Sequence, residues 1–246
     1  MILKTYDLSK FFEGLKALDR VSIQVPRESL TLIIGPNGSG KTTLINTITG
    51  FYKADEGRVE FENEDITNLP PHKIFEKGII RTFQIPRPFK KLTVIENMLV
   101  PLSNPGEKIR NAIRKNWVDF ERKGVEKAFE ILKFLNIDHL AFEISENLSG
   151  GQLRLLEIGR ALMADAKLIV MDEPLAGVSP ALAHEILRKI RDLCESGVTF
   201  LIIEHRLDII LDYADKIYVM GNGRIIAEGG KEVLEKPEVV EVYLGA

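Results

Sequence analysis

The sequence contains little cysteine: Cys194 is the single thiol among its 246 residues. One thiol cannot form an intramolecular disulfide, and it cannot build a metal site from several cysteines. Cys194 lies in a stretch with helical character, so we interpret it as an inert thiol. Such sparse use of cysteine is typical of a protein in the reducing cytosol.

Long apolar segments and an excess of basic charge are missing as well. Apolar runs such as 168–171 and 198–203 are far shorter than the roughly 20 residues that a membrane-spanning helix needs. The first residues show no apolar stretch typical of a signal peptide. The formal net charge of −3 argues against nucleic acid as the main partner, since phosphate binding favours basic proteins. We therefore expect a soluble protein whose role at a membrane would depend on a partner.

Strand-like and helical segments alternate along most of the chain. Residues 1–30 alternate apolar and polar positions as β-strands do, and 168–171 has the pattern of a buried strand. Gly221, Asn222 and Gly223 separate two apolar runs and predict a hairpin. Within 91–140 the pattern is helical, and one apolar face is formed by Val125, Phe129, Leu132 and Leu135. This order predicts an α/β fold with a parallel sheet covered on both faces.

A phosphate-binding loop follows the apolar strand at 31–34. It matches the pattern G-x-x-x-x-G-K-[ST] with Gly35, Pro36, Asn37, Gly38, Ser39, Gly40, Lys41 and Thr42. The glycines allow the backbone to wrap around phosphates, and the N–H groups up to Thr43 are expected to point at the anion. Lys41 can reach the β- and γ-phosphates, and the Thr42 hydroxyl can bind Mg²⁺. The loop predicts a bound nucleotide with Mg²⁺, and by itself it leaves GTPases and small-molecule kinases open beside ATPases. The sequence contains no Asn-Lys-x-Asp segment that would read guanine, which favours ATP over GTP.

A second anion-binding device precedes another helical segment. It consists of Leu148 followed by Ser149, Gly150, Gly151 and Gln152. A serine and two glycines at a helix N-terminus offer a cap and free N–H groups to an anion. A chain with two such devices and one nucleotide loop has more anion sites than one nucleotide needs.

The segment 148–152 is identical to the signature sequence of the ABC ATPase family, which the whole chain resembles. The resemblance implies a P-loop NTPase (RecA-like) core with an N-terminal antiparallel β subdomain and an inserted α-helical subdomain. It places the core at 1–88 and 146–246 and the helical subdomain at about 89–145. It also implies a head-to-tail dimer with a second ABC ATPase subunit, identical or paralogous, in which each signature helix caps the γ-phosphate held by the other subunit.

Two acids, Asp172 and Glu173, follow the buried strand 168–171 and resemble the family's Walker B segment. A strand of a doubly wound fold delivers such residues to the carboxyl edge of the sheet, where ligands bind. Asp172 is expected to hold Mg²⁺, mainly through water, and Glu173 is expected to act as the general base on the attacking water.

Three further positions are implied by the resemblance. Gln84 matches the glutamine that senses Mg²⁺ and the water, and His205 matches the switch histidine that contacts the γ-phosphate. Phe12 matches the aromatic residue that stacks on adenine, with Phe11 as the alternative and an ordinary strand-face aromatic as the competing interpretation. The chain departs from the family at Ser179, where aspartate is common, which puts the strength of the contact with the other subunit in doubt.

The pattern around Gln84, the segment 173–180 and the tail 239–245 resemble the LivG-type ATP-binding subunits of branched-chain amino acid importers, and also relatives that serve urea or amide uptake. This resemblance implies two integral-membrane permeases and, indirectly, a solute-binding protein as partners. It implies a cytoplasmic location, peripheral on the inner face of the cell membrane through the permease. We expect the docking groove to be lined by Phe89, Leu92, Val94 and Leu99.

The segment 103–123 is long for a bare ATPase domain and fits an insertion of this subfamily. Its apolar positions follow helical spacing and are Ile109, Ile113, Trp117 and Phe120. Six basic and three acidic residues between 107 and 123 give a local net charge of +3. This segment either contacts the permease or the anionic membrane surface, or it packs on its own subdomain as an amphipathic helix.

Two other functions compete with transport. A soluble ABC ATPase of DNA repair or translation generally carries a long coiled coil or two tandem ATPase domains, and neither fits in 246 residues. A P-loop kinase would release ADP with a phosphorylated small molecule instead of inorganic phosphate.

Overall fold

The computed structural model describes residues 1–82, 86–102 and 116–244. The chain divides into two compact units, which we call the sheet unit (Met1–Gln84 and Lys167–Ala246) and the helical unit (Ile85–Ala166). Residues 146–166 therefore group with the helical unit, whereas the sequence pattern assigned them to the core. The boundaries of the functional subdomains stay predictions.

The described strands form two sheets, both in the sheet unit. The strands are β1 (Leu3–Phe12), β2 (Leu15–Val21), β3 (Gln24–Val25), β4 (Leu30–Ile34), β5 (Glu56–Phe61), β6 (Glu64–Asp65), β7 (Ile79–Arg81), β8 (Leu168–Asp172), β9 (Thr199–Ile203), β10 (Lys216–Gly221) and β11 (Arg224–Gly229). One sheet has the order β2-β1-β5-β6 with β3 paired to β1, and it is antiparallel. The other has the order β11-β10-β4-β9-β8-β7.

The six-stranded sheet is parallel except for its β10–β11 hairpin. Every residue of β4, β8 and β9 is buried, because strands in the middle of a covered parallel sheet have no solvent face. Ile203 pairs with Asp172 on one side and with Ile33 on the other. The carboxyl ends of β4, β8 and β9 therefore meet at one edge of the sheet.

The predicted hairpin is confirmed. Gly221 pairs with Arg224, so the turn consists of Asn222 and Gly223, whose φ angles are 48° and 77°. Two positive φ angles characterise the tight turn whose twist matches that of antiparallel strands, and Asn-Gly is its preferred sequence.

The α-helices of the described ranges are α1 (Lys41–Ile48), α2 (Pro71–Glu76), α3 (Val94–Leu99), α4 (Asn116–Phe134), α5 (Gly150–Met163), α6 (Pro180–Glu195), α7 (Leu207–Ile210) and α8 (Pro237–Leu244). In the sheet unit, α6 buries Ala183, Ile186, Leu187 and Ile190, the spacing of one helix face. Cys194 lies on the same face and is 1% exposed. Over the described ranges, every helix is too short or too polar to cross a bilayer.

The helical unit is built from α3, α4 and α5, which pack on each other. A Cβ on Gly159 of α5 would lie 2.8 Å from the sulfur of Met98 in α3, so a larger residue there would require Met98 to move. Of the apolar face predicted for α4, Leu132 and the following Leu135 are buried, and Val125 and Phe129 are half-buried. The small residues Gly124 and Ala128 are buried beside them.

Candidate active site

The loop between β4 and α1 approaches two other backbone segments so closely that two of its residues must be glycine. A Cβ on Gly35 would lie 2.2 Å from the carbonyl oxygen of Met220, and one on Gly40 would lie 2.5 Å from that of Ala17. Gly40 precedes α1 with a φ of 101° and offers no side chain to the first N–H groups of the helix. Those groups are the ones that bind anions at a helix N-terminus.

Lys41 begins α1 and lies over the same loop. Its Nζ donates hydrogen bonds to the carbonyl oxygens of Gly35 and Pro36, both at 2.8 Å, and lies 3.4 Å from the Ser39 hydroxyl. Burial lowers the pKa of Lys41, and nearby carboxylates oppose this shift. The geometry holds a cationic donor at the mouth of the loop, where it can turn to phosphate oxygens.

Asp172 ends β8 and is 5% exposed. Burial raises the pKa of its carboxyl group, while the charge of Arg81 and a hydrogen bond with Thr42 oppose the shift. Arg81 Nη2 lies 3.7 Å from Asp172 Oδ2, and the same guanidinium donates to the side-chain oxygen of Asn46. A buried carboxylate thus lies beside a hydroxyl oxygen, and hard oxygens of this kind are the ligands that Mg²⁺ prefers.

Glu173 and His205 lie at the ends of the neighbouring strands β8 and β9. His205 Nε2 is 3.1 Å from Glu173 Oε1, and both side chains are partly exposed. Glu173 has a φ of 50°, a left-handed conformation that costs a residue with a side chain about 1 kcal/mol or more. The strain turns the carboxylate out of the sheet at the edge where β4 ends.

A cavity of about 640 Å³ joins these groups. It is lined by Phe12, Leu15, Lys16, Ala17, Asn37, Gly38, Gly40, Lys41, Thr42, Thr43, Glu173, His205, Asn222 and Gly223. All of these residues belong to the sheet unit. A cavity of this size fits a nucleotide-sized ligand, and its lining combines the phosphate loop with the strand-end acid and histidine.

Among the described residues that line this cavity, Phe12 is the only aromatic carbocycle. Its ring meets the ring of Tyr52 edge to face with centroids 5.2 Å apart, and Lys10 Nζ lies 5.3 Å from the Phe12 centroid. Phe12 is 38% exposed, so one part of the ring is open to a ligand. Phe11 instead lies beneath the amine of Lys16.

The segment at the start of α5 forms a reciprocal capping box within the helical unit. The Ser149 hydroxyl accepts from the Gln152 N–H at 3.4 Å, and the Gln152 side chain accepts from the Ser149 N–H at 2.8 Å. Gly150 is exposed, and an added Cβ there would meet no atom within 4 Å. The box fixes the helix start and leaves an open surface around its first turn.

Ser179 is the N-cap of α6. Its hydroxyl accepts from the N–H of Leu182 at 3.4 Å, and Pro180 follows as the first residue of the helix. Serine and aspartate are both good N-caps. The departure from the family pattern therefore preserves the helix start, although it removes a negative charge.

Some predicted residues cannot be placed. Gln84 lies outside the described residues, as does most of 103–123 with its apolar positions 109 and 113. In the helical unit, Phe89 is 50% exposed whereas Val94 is completely buried. Val94 therefore cannot line a docking groove, and its prediction is wrong because the start of α3 packs against the segment 141–144, where the Val94 N–H donates to the carbonyl oxygen of Glu143 at 2.9 Å.

The structure adds site residues that the sequence pattern did not single out, among them Arg81 and Asn222. Arg81 ends β7 beside Asp172, and a charged residue closing a short apolar strand was a usable signal. Asn222 was predicted only as a turn residue, yet it lines the cavity. Its position depends on the pairing of β10 with β4, which no local pattern specifies.

The chain matches a family model described as ABC transporter over residues 18–176. It is 60% identical over 246 residues to a protein of Archaeoglobus fulgidus named probable branched-chain amino acid transport ATP-binding protein LivG, covering 100% of this chain and 96% of that one. A protein of Methanocaldococcus jannaschii with the same name is 57% identical over 250 residues, covering 99% and 97%.

A solved structure has the same fold along the whole chain. It is the ADP conformation of an ATP-binding cassette of an ABC transporter, with a TM-score of 0.88 and 56% identity, covering 100% of this chain and 99% of that one. The cavity described above therefore belongs to a chain whose fold binds nucleotide in a similar protein.

Proposed function

This chain belongs to the ABC transporter family of ATP-hydrolysing proteins, and from that premise we propose that it energises an importer of branched-chain amino acids. The observation that supports the solute class is similarity over the full length, at 60% and 57% identity, to proteins named for that transport. The roles of the individual residues follow from the geometry at the carboxyl edge of the sheet.

The phosphates of ATP are held by the loop at 35–42 and by Lys41. The first N–H groups of α1 bind the phosphate oxygens, and the ammonium group of Lys41 exchanges its carbonyl partners for them. Phe12 offers the exposed part of its ring to the adenine. Asn222 and Gly223 close the cavity on the side of the β10–β11 hairpin.

Thr42 and Asp172 fit a magnesium ion because they place two hard oxygens side by side. Bound Mg²⁺ would neutralise negative charge on the phosphate oxygens. Phosphate oxygens and water would supply the other ligands of the ion. Gln84 is proposed as a further contact of the ion and the water.

Glu173 takes the proton of the attacking water, and His205 keeps the carboxylate of this base in place and contacts the γ-phosphate. The 3.1 Å separation of the two side chains lets one hydrogen bond orient the base. Release of inorganic phosphate, and not a phosphorylated small molecule, distinguishes this reaction from that of a P-loop kinase.

The signature residues Ser149, Gly150, Gly151 and Gln152 complete the site of a second subunit. The capping box leaves the start of α5 open, as a group that binds the γ-phosphate of another chain needs. Two chains, identical or paralogous, thus form a head-to-tail dimer with two shared sites.

The helical unit transmits dimer closure to two permeases in the cell membrane. Phe89 and Phe142 expose 50% and 77% of their surface, and aromatic residues are enriched in protein–protein interfaces. The chain is thereby held at the inner face of the membrane, and a solute-binding protein delivers the solute from the other side.

Copurification and reconstitution test this proposal. We expect the tagged chain to copurify with two permeases, and the reconstituted complex to raise its ATPase rate when the solute-binding protein carries leucine, isoleucine or valine. Stimulation by urea or an aliphatic amide alone would reassign the solute. Full cellular function after deletion of the permease genes would contradict a transport role and favour a soluble ABC ATPase.

A further inference from the structure

Glu204 is a buried carboxylate directly next to His205, and it does not line the cavity. It follows the last residue of β9 and is 2% exposed. Burial of a carboxylate is costly unless hydrogen bonds replace its water. The contacts of Glu204 therefore indicate what the residue does in the fold.

The two carboxylate oxygens of Glu204 bind two different turns. Oε1 accepts from the N–H of Leu175 at 2.8 Å. Oε2 accepts from the N–H groups of His205 and Arg206 at 2.7 and 3.1 Å. One side chain thus connects the turn that follows Glu173 with the turn that carries His205.

A second contact joins the same turns. Arg206 Nη1 donates to the carbonyl oxygen of Val178 at 2.7 Å. The turn after Glu173 thus provides the N–H of Leu175 to the Glu204 carboxylate and the carbonyl oxygen of Val178 to the Arg206 guanidinium. Hydrogen bonds to charged groups are stronger than those between neutral groups. The turn after Glu173 is fixed near both of its ends.

The strained backbone of Glu173 needs such support. Its φ of 50° persists only where the surroundings impose it. On the N-terminal side of the strained residue, the N–H of Glu173 donates to the carbonyl oxygen of Ile203 at 2.9 Å. On its C-terminal side, the Glu173 carbonyl oxygen accepts from the N–H of Ala176 at 3.2 Å, and the bond from Leu175 to Glu204 fixes the turn to β9.

We propose that Glu204 is a positioning residue that clamps the turn after Glu173 to the turn of His205 and so keeps the base and the histidine in register for water activation. The inference rests on the roles proposed above for Glu173 and His205. We expect loss of the clamp to lower turnover. ATP binding should stay intact, because none of the hydrogen bonds of the clamp involves the phosphate loop.

Two substitutions remove different parts of the clamp. In Glu204→Gln the amide has one acceptor oxygen and one NH₂ donor, so one of the two turns loses its acceptor. In Glu204→Asp the shorter side chain can keep the local bonds to His205 and Arg206 but cannot reach Leu175. Both variants should therefore loosen the turn after Glu173, with a smaller effect on folding for Glu204→Asp.

The test measures kcat and KM of the full chain for ATP, together with the melting temperature of each variant. We expect kcat to fall about 10- to 100-fold in both variants, since small displacements of reacting groups have effects of this size, while KM changes less than about twofold. The control is Asp215→Asn at the amino edge of the sheet, where the carboxylate accepts from the N–H of Leu30. It should lose stability and keep kcat.

Wild-type kcat in a folded Glu204→Asp variant would overturn the proposal, even if Glu204→Gln fails to fold. A fall in kcat that Asp215→Asn reproduces would also overturn it, because the effect would then be one of general stability. Glu173→Gln, measured in the same assay, distinguishes a wrong assignment of the base from a wrong assignment of the clamp. If that variant keeps wild-type turnover, the proposed base is wrong; if it is inactive while both Glu204 variants turn over normally, only the clamp is wrong.

Discussion

His205 Nε2 lies 3.1 Å from Glu173 Oε1, and the two residues follow neighbouring parallel strands that end in register. The pair is therefore set by the pairing of β8 with β9 and not by proximity in sequence. A base whose orientation depends on a histidine loses efficiency when the histidine is removed.

His205→Ala should lower kcat about 100-fold or more, because positioned proton-transfer groups contribute factors of this order. ATP affinity should stay nearly unchanged, since Lys41 and the phosphate loop are intact. Steady-state release of inorganic phosphate checks both parameters. The matched control is His184→Ala on α6, whose partner is the Tyr213 hydroxyl; equal rates in the two variants would refute a role of His205 in turnover.

Lys41→Ala should weaken ATP binding about 10- to 100-fold, the effect of losing a charge-assisted hydrogen bond worth about 1.5–3 kcal/mol. Titration with a fluorescent ATP analogue measures the dissociation constant. Lys77→Ala removes an amine that pairs with Glu64 in the sheet unit outside the cavity lining and should bind as the wild type does. Undiminished affinity in Lys41→Ala would show that the amine does not hold phosphates.

Phe12→Ala should reduce ATP affinity about 3- to 10-fold through the lost ring contact. Binding of inorganic tripolyphosphate should not change, because the ring is proposed to contact the base and not the phosphates. Phe11→Ala serves as the control with the neighbouring ring. If Phe11→Ala weakens ATP binding and Phe12→Ala does not, the base is stacked on the other phenylalanine.

Cys194 should not react with a thiol reagent in the folded protein at pH 8. Burial raises the pKa of this thiol to about 12, so the thiolate, which is the reactive form, is scarce well below that pH. Denaturation in guanidinium chloride should release one reactive thiol per chain. Fast labelling of the folded chain by Ellman's reagent would contradict an inert, buried cysteine.

Local patterns in the sequence predict much of this fold. The apolar run at 31–34 lies in β4 and Asn222 and Gly223 form the turn of a hairpin, so these two predictions are confirmed. The acids after 168–171 and the histidine after β9 fall at the predicted edge because parallel strands share their carboxyl ends.

Long-range contacts are what the sequence does not reveal. Arg81 belongs to the site because it lies beside Asp172. Glu204 connects two turns because it accepts from the N–H of Leu175, 29 positions away. Val94 is predicted at a surface and is buried, because the start of α3 packs against the distant segment 141–144. Each of these outcomes depends on tertiary packing and not on local propensity.

The central claim is that Glu173 activates water in an ATP site shared by two subunits. Its most direct test is the mass of Glu173→Gln in saturating ATP with Mg²⁺, measured by size-exclusion chromatography with light scattering. We expect twice the 27.7 kDa of one chain, because ATP binds but is not hydrolysed, and we expect a monomer when Lys41→Ala is added. A Glu173→Gln variant that stays monomeric in saturating ATP, or that hydrolyses ATP at the wild-type rate, would contradict the account.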